Sequence, residues 1–169
     1  MAVVATAEAG LVAIEKGATI LQLRAPHLTA RELEHEANKL VPAAAVPVVV
    51  SSRCDIALAS GAAGVNLPER DIDVAAARTL MGQRLVGRSV HSANAALAAE
   101  REGADYVIFG PVWPSLSHPA EKPQGIGALA DVVRAVRLPV LAIGGVTVER
   151  AEECKQAGAA GYAAITLFK

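Results

Sequence analysis

Apolar residues along this chain fall into two alternating patterns. Short, nearly continuous apolar runs, such as VPVVV at 46–50 and LPVLAI at 138–143, alternate with helix-like stretches such as Ala30 to Leu40 and Val148 to Ala157. Runs of that length and β-branching predict buried strands. Four glycine-alanine pairs mark the joins: Gly17-Ala18 before TILQLR, Gly61-Ala62 before AGVNL, Gly103-Ala104 before DYVIFGP and Gly158-Ala159 before AGYAAITLF. Glycine takes the left-handed conformation that stops a helix, so each pair predicts a helix end followed by a strand. Pro47 and Pro139 stand at strand entrances, where no ladder donor is needed.

With LVGRSV at 85–90, the pattern predicts seven strands, beginning near Thr19, Val46, Gly64, Leu85, Asp105, Pro139 and Gly161. Strands apolar throughout are covered on both faces, which predicts a parallel α/β fold of the TIM-type (β/α)8 barrel kind. Such barrels take roughly 200 to 250 residues, whereas this chain has 169. The barrel is therefore expected to be truncated or incomplete at its first strand and last helix. Only Ala2 to Ala5 remain as a stub of a first strand, and no closing helix follows the last one. An exposed edge predicts a covering contact, either a homodimer interface or a rearranged terminus.

Composition narrows the functional classes. The hydrophobic content of 53% is spread evenly, and no run approaches the roughly 20 apolar residues of a membrane span. This predicts a single soluble domain over residues 1–169, with no membrane partner. A net charge of -1 and 3% aromatic residues give neither a basic field nor stacking platforms, so no nucleic-acid partner is expected. Cys54 and Cys154 lack metal-ligand spacing. They suit packing as free thiols in a reducing cytoplasm, with a disulfide as the alternative.

Candidate chemistry lies at the strand ends, where barrels of this kind carry their active sites. Strand alternation aims Gln22 and Arg24 to one side, into the barrel mouth. The Arg24 guanidinium offers a planar fork of donors for a phosphate; the structural alternative is a salt bridge to Glu69 or Asp71. In the loop GPVWPSLSHP, Ser115 and Ser117 could donate to anion oxygens and His118 could move a proton. The alternative is a solvent-exposed loop. Gly144-Gly145, ending the strand LAIGG, permits close approach of a phosphate to backbone N–H groups, or merely makes a turn.

Taken in order, LQLR, GVNLPERD, GRSVHS, ADYVIFGPVWPSLSHP, PVLAIGGV and GYAAITLF resemble the thiamine phosphate synthase and thiazole tautomerase (TenI) superfamily, over nearly the whole chain from Ala7 to Phe168. The resemblance implies a barrel that handles a small thiazole phosphate in thiamine biosynthesis. Much of the synthase pattern is altered. Its Gln-x-Arg-x-Lys keeps Gln22 and Arg24 but has Pro26 for the lysine; its Asn-Asp-Arg is Ser51, Ser52 and Arg53. Its His-Leu-Gly-x-x-Asp keeps Asp71, which the resemblance makes a magnesium ligand, but has Asn66 and Pro68 for histidine and glycine. Its Thr-x-Thr-Lys is Ser115, Leu116, Ser117 and His118.

A diphosphate leaving group needs its charge neutralised, and two lysines and one metal carboxylate of that machinery are gone. The positions that survive, Ser89, Gly125, Gly144, Gly145 and Thr166, resemble the thiazole-phosphate half of the site. The expectation is thus a thiazole phosphate tautomerase, needing no cofactor and using His118 as general base with Arg24, and with His91 as the alternative base. The tautomerase histidine after the sixth-strand glycine is Pro111 here. A magnesium-dependent synthase joining a pyrimidine diphosphate to the thiazole phosphate, and a non-catalytic barrel that binds the phosphate ligand, are the two alternatives.

Overall fold

The computed structural model describes residues 1–115 and 122–168. Strands and helices alternate as β1 (Ala2–Val4), α1 (Ala7–Glu15), β2 (Leu21–Leu23), α2 (Ala30–Ala43), β3 (Val48–Ser51), α3 (Cys54–Ala59), β4 (Gly64–Leu67) and α4 (Val74–Met81). The second half continues with β5 (Leu85–Val90), α5 (Ala93–Arg101), β6 (Tyr106–Phe109), α6 (Gly125–Ala135), β7 (Val140–Ile143), α7 (Val148–Gln156) and β8 (Gly161–Ala163). The eight strands form one sheet in chain order, and neighbours pair in parallel. This is the TIM-type fold expected, and the stub at the chain start is its first strand.

The repeated glycine-alanine pair has one physical cause. At all four joins the glycine has positive φ, 88°, 72°, 92° and 89° for Gly17, Gly61, Gly103 and Gly158. Its N–H turns back to a carbonyl three residues earlier, and the alanine N–H reaches five residues back, as in Ala18 to Ala13 and Ala62 to Ala57, both 2.9 Å. That is the Schellman helix stop. Each alanine is buried, so the stop also turns the chain inward, straight into a strand.

Alternation sends each strand's residues to two separate cores. Leu21, Leu23, Val48, Val50, Val65 and Leu67 pack outward against helix residues such as Leu33, Leu40 and Ala77. Val3, Val49, Tyr106, Ile108 and Ala163 pack together inside the barrel. Gly87 makes room there: a Cβ on it would lie 2.1 Å from Tyr106 Cζ. The Tyr106 hydroxyl is buried without a hydrogen-bond partner among the described residues, and burial pushes its pKa up. A buried unsatisfied hydroxyl costs about 1–3 kcal/mol. Tyr106→Phe is therefore expected to raise stability by about 1 kcal/mol, read as a higher urea midpoint at unchanged slope; a lower midpoint would contradict it.

Across the seam, the Val3 N–H donates to the Ala164 carbonyl at 2.9 Å and the Ala164 N–H to the Met1 carbonyl at 3.1 Å. An isolated parallel bridge joins Ala2 to Ala164. The gap expected at the seam is thus narrowed by the chain's own backbone, which removes much of the free edge behind the homodimer expectation. The last strand stops at Ala163, earlier than its apolar run suggests, so Thr166 sits in the segment after it. No helix follows β8 among the described residues.

Both cysteines are free and buried, and burial raises both thiol pKa values. Among the described residues, no helix is long and apolar enough to cross a membrane.

Candidate active site

The strands' carboxyl ends surround a cavity of about 440 Å³. Inward alternation on β2 brings Gln22 and Arg24 to its wall, as expected; Ser89, Ser115, Gly144, Gly145 and Thr166 line it too. Gly125 does not. It opens α6 with φ 82° and its N–H is bonded to the Val112 carbonyl at 3.0 Å. Ser117 and His118 lie outside the described residues.

Arg24 is half-buried. Its side chain has no hydrogen bond or ion pair among the described residues, and neither carboxylate offered as a structural partner meets it. Glu69 pairs with His91, and Asp71 accepts from the Ile72 N–H at 2.8 Å. A guanidinium held in a cavity wall without a counter-ion is suited to an anionic ligand.

On the β4 and β5 side, Asn66 is 1% exposed. Its Nδ2 donates to Ser89 Oγ at 3.1 Å, while its Oδ1 has no partner among the described residues. An orphaned acceptor in a cavity wall leaves hydrogen-bonding capacity for a bound molecule. Just above it, His91 Nδ1 meets Glu69 Oε2, and both residues line the cavity. The loop carrying Glu69 is braced from β5, since Arg88 donates to the Glu69 carbonyl at 2.8 Å and the Ile72 carbonyl at 2.7 Å. A carboxylate on Nδ1 fixes the ring's orientation and leaves Nε2 as the basic nitrogen.

The opposite wall is built from glycine. Gly144 and Gly145 have φ 94° and 64°, and the β6–α6 loop presses on them: a Cβ on Gly144 would lie 2.6 Å from Pro111 Cβ, and one on Gly145 2.5 Å from the Pro114 carbonyl. The Trp113 N–H donates to the Gly144 carbonyl at 3.1 Å. Arg150, from the first turn of α7, donates to the Gly145 carbonyl at 2.7 Å with its guanidinium carbon 5.2 Å from the Trp113 ring centre.

The described residues do not fit a magnesium ion in this cavity. Magnesium on a phosphate ester takes one or two protein carboxylates. Ser51 and Ser52 carry no charge, Asp71 is not part of the cavity wall, and Glu69 is taken up by His91. No group of three or more histidine, cysteine or acidic side chains suited to a metal occurs among the described residues. Ser52 nonetheless has φ 65°, a left-handed conformation in which asparagine and aspartate are enriched. The backbone form thus suits the acidic residue of the resembled pattern, although the carboxylate is absent.

In the sequence His91 stands out only as an alternative base, and neither its pairing with Glu69 nor Arg150 and Trp113 is marked there. Nothing in the order of residues reveals a pairing across two strand ends or a helix side chain folding back over a loop.

Eight parallel strands with polar and cationic side chains gathered at their carboxyl ends define a TIM-type barrel protein with a small-molecule cavity. Within that class, the chain belongs to the thiamine monophosphate synthase family, whose model matches residues 4–168, a family of thiamine biosynthesis. It is 39% identical over 158 residues to the thiamine-phosphate synthase of Chloroflexus aurantiacus, covering 91% of this chain and 73% of that one. It is 37% identical to a putative thiamine-phosphate synthase 2 of Aquifex aeolicus, covering 92% and 85%. Among solved structures, a thiamine phosphate pyrophosphorylase from Pyrococcus furiosus superposes with a TM-score of 0.86 at 33% identity, covering 95% of this chain and 79% of that one.

Proposed function

We propose that this member of the family isomerises a thiazole carboxylate phosphate by proton transfer, without a metal ion. The observation that carries the reading is the His91–Glu69 pair at the cavity mouth, in a site whose described residues do not suit magnesium. The phosphate end of the ligand sits against Gly144, Gly145 and Thr166, where glycines let backbone N–H groups approach. Arg24 takes the ligand's second anionic group. His91 Nε2 removes a proton from the ring carbon, the C–H electrons delocalise into the ring system, and the imidazolium returns the proton to the exocyclic carbon. Glu69 stabilises the imidazolium while it exists. His118 remains a second candidate for this role.

A second reading has support of a different kind: the relatives described above carry the name thiamine-phosphate synthase. It would have the protein join a pyrimidine diphosphate to the thiazole phosphate with release of diphosphate. The two readings separate in one assay. With chelator present and no pyrimidine, the proposal predicts conversion of the thiazole carboxylate phosphate to its aromatic isomer, followed by NMR. Thiamine phosphate formed only with magnesium and pyrimidine diphosphate, with no conversion under chelation, would overturn it.

A further inference from the structure

We infer that Arg150 is a ligand-contacting residue at the phosphate end of the cavity, and that Trp113 holds its guanidinium ready there. The inference rests on the placement of phosphate at Gly144 and Gly145 but not on the reaction that follows.

The first turn of α7 sets the position. Thr147 caps the helix by accepting the Arg150 N–H at 3.3 Å, and side chains in a first turn lean back toward the helix start. Arg150 accordingly lies over the loop that precedes it and lines the cavity. A guanidinium has five N–H donors. One is used on the Gly145 carbonyl, and no carboxylate pairs with it among the described residues. The nearby Glu149 makes no ion pair with it: its carboxylate meets the Thr147 hydroxyl at 2.7 Å, the main cause of its lowered pKa, with the Arg150 charge a lesser one.

Trp113 supports the charge without neutralising it. An aromatic face attracts a cation but offers no hydrogen-bond acceptor to its N–H groups, so the remaining donors stay available. Arg24 lines the same cavity, also without an ion pair among the described residues. The pattern suits a phosphate held by the Arg150 fork together with the glycine amides, a stronger grip than the amides alone provide.

Trp113 is the chain's single tryptophan, so its fluorescence reports on the contact. Inorganic phosphate is titrated into the intact protein at constant ionic strength, with chloride as the control. The expected result is a saturable change in emission with phosphate and none with chloride. Arg150→Gln should weaken phosphate binding by about tenfold or more, and Arg150→Lys by less. Circular dichroism of each variant checks the fold, and calorimetric titration of Trp113→Phe supplies a second readout, with weakened phosphate binding expected. Wild-type affinity in both Arg150 variants would overturn the inference, as would the absence of saturable phosphate binding by the native protein. Isomerisation with KM unchanged in Arg150→Gln would overturn it while leaving the proposed function intact. Phosphate binding through Arg150 without turnover would do the reverse.

Discussion

Replacing His91 by alanine lowers the rate of thiazole isomerisation by about 10²–10⁴-fold, the range a positioned general base contributes. His91 is exposed at the mouth and belongs to neither core cluster. The fold should therefore tolerate the change, and KM should move much less than kcat, because the anion-holding groups remain. Glu69→Gln should give a smaller loss: the amide can still meet the ring, but it no longer stabilises the imidazolium, and it can favour the wrong tautomer. The check is the kinetics of both variants beside thermal unfolding. A fully active His91→Ala would move the base to His118, and His118→Ala would then carry the loss.

Gly145→Ala is expected to damage both the fold and the site. Its φ of 64° is unfavourable for any residue with a side chain, and the new Cβ would lie 2.5 Å from the Pro114 carbonyl and 2.8 Å from Trp113 Cβ. These neighbours include backbone that two further hydrogen bonds tie to β7 and its following loop, Val112 N–H to Ile143 at 2.9 Å and Trp113 N–H to Gly144 at 3.1 Å. Relief thus requires the β6–α6 loop to shift. Strain and overpacking together predict a loss of about 2–4 kcal/mol in unfolding free energy. Phosphate-ligand affinity should fall at least as far as in Arg150→Gln, since the Gly145 carbonyl anchors that guanidinium. Denaturant unfolding and calorimetric titration check the two effects separately. A stable variant with native affinity would show that the glycine pair merely makes a turn.

Much of the fold was legible because its punctuation is local. The Schellman stops at Gly17, Gly61, Gly103 and Gly158 follow from glycine's freedom at positive φ, and the apolar runs after them are strands. The first strand was harder to read. Its three residues run almost directly into α1, and what makes them a strand is pairing with β2 and Ala164, contacts remote in sequence. Alternation along β2 points Gln22 and Arg24 at the cavity wall, while Ser89 is marked only by the family resemblance and the glycine pair by its place after β7. His91 with Glu69 and Arg150 with Trp113 were not legible as pairs. Each joins residues 22 and 37 positions apart, through the closure of the barrel rather than through any local pattern.

The most direct test of the central claim is isomerisation in deuterated water. Chelator-treated protein is mixed with thiazole carboxylate phosphate and followed by NMR. The account predicts conversion to the aromatic isomer with solvent deuterium at the exocyclic carbon, lost in His91→Ala and unaffected by added magnesium. Absence of conversion, together with magnesium-dependent formation of thiamine phosphate once pyrimidine diphosphate is supplied, would contradict it.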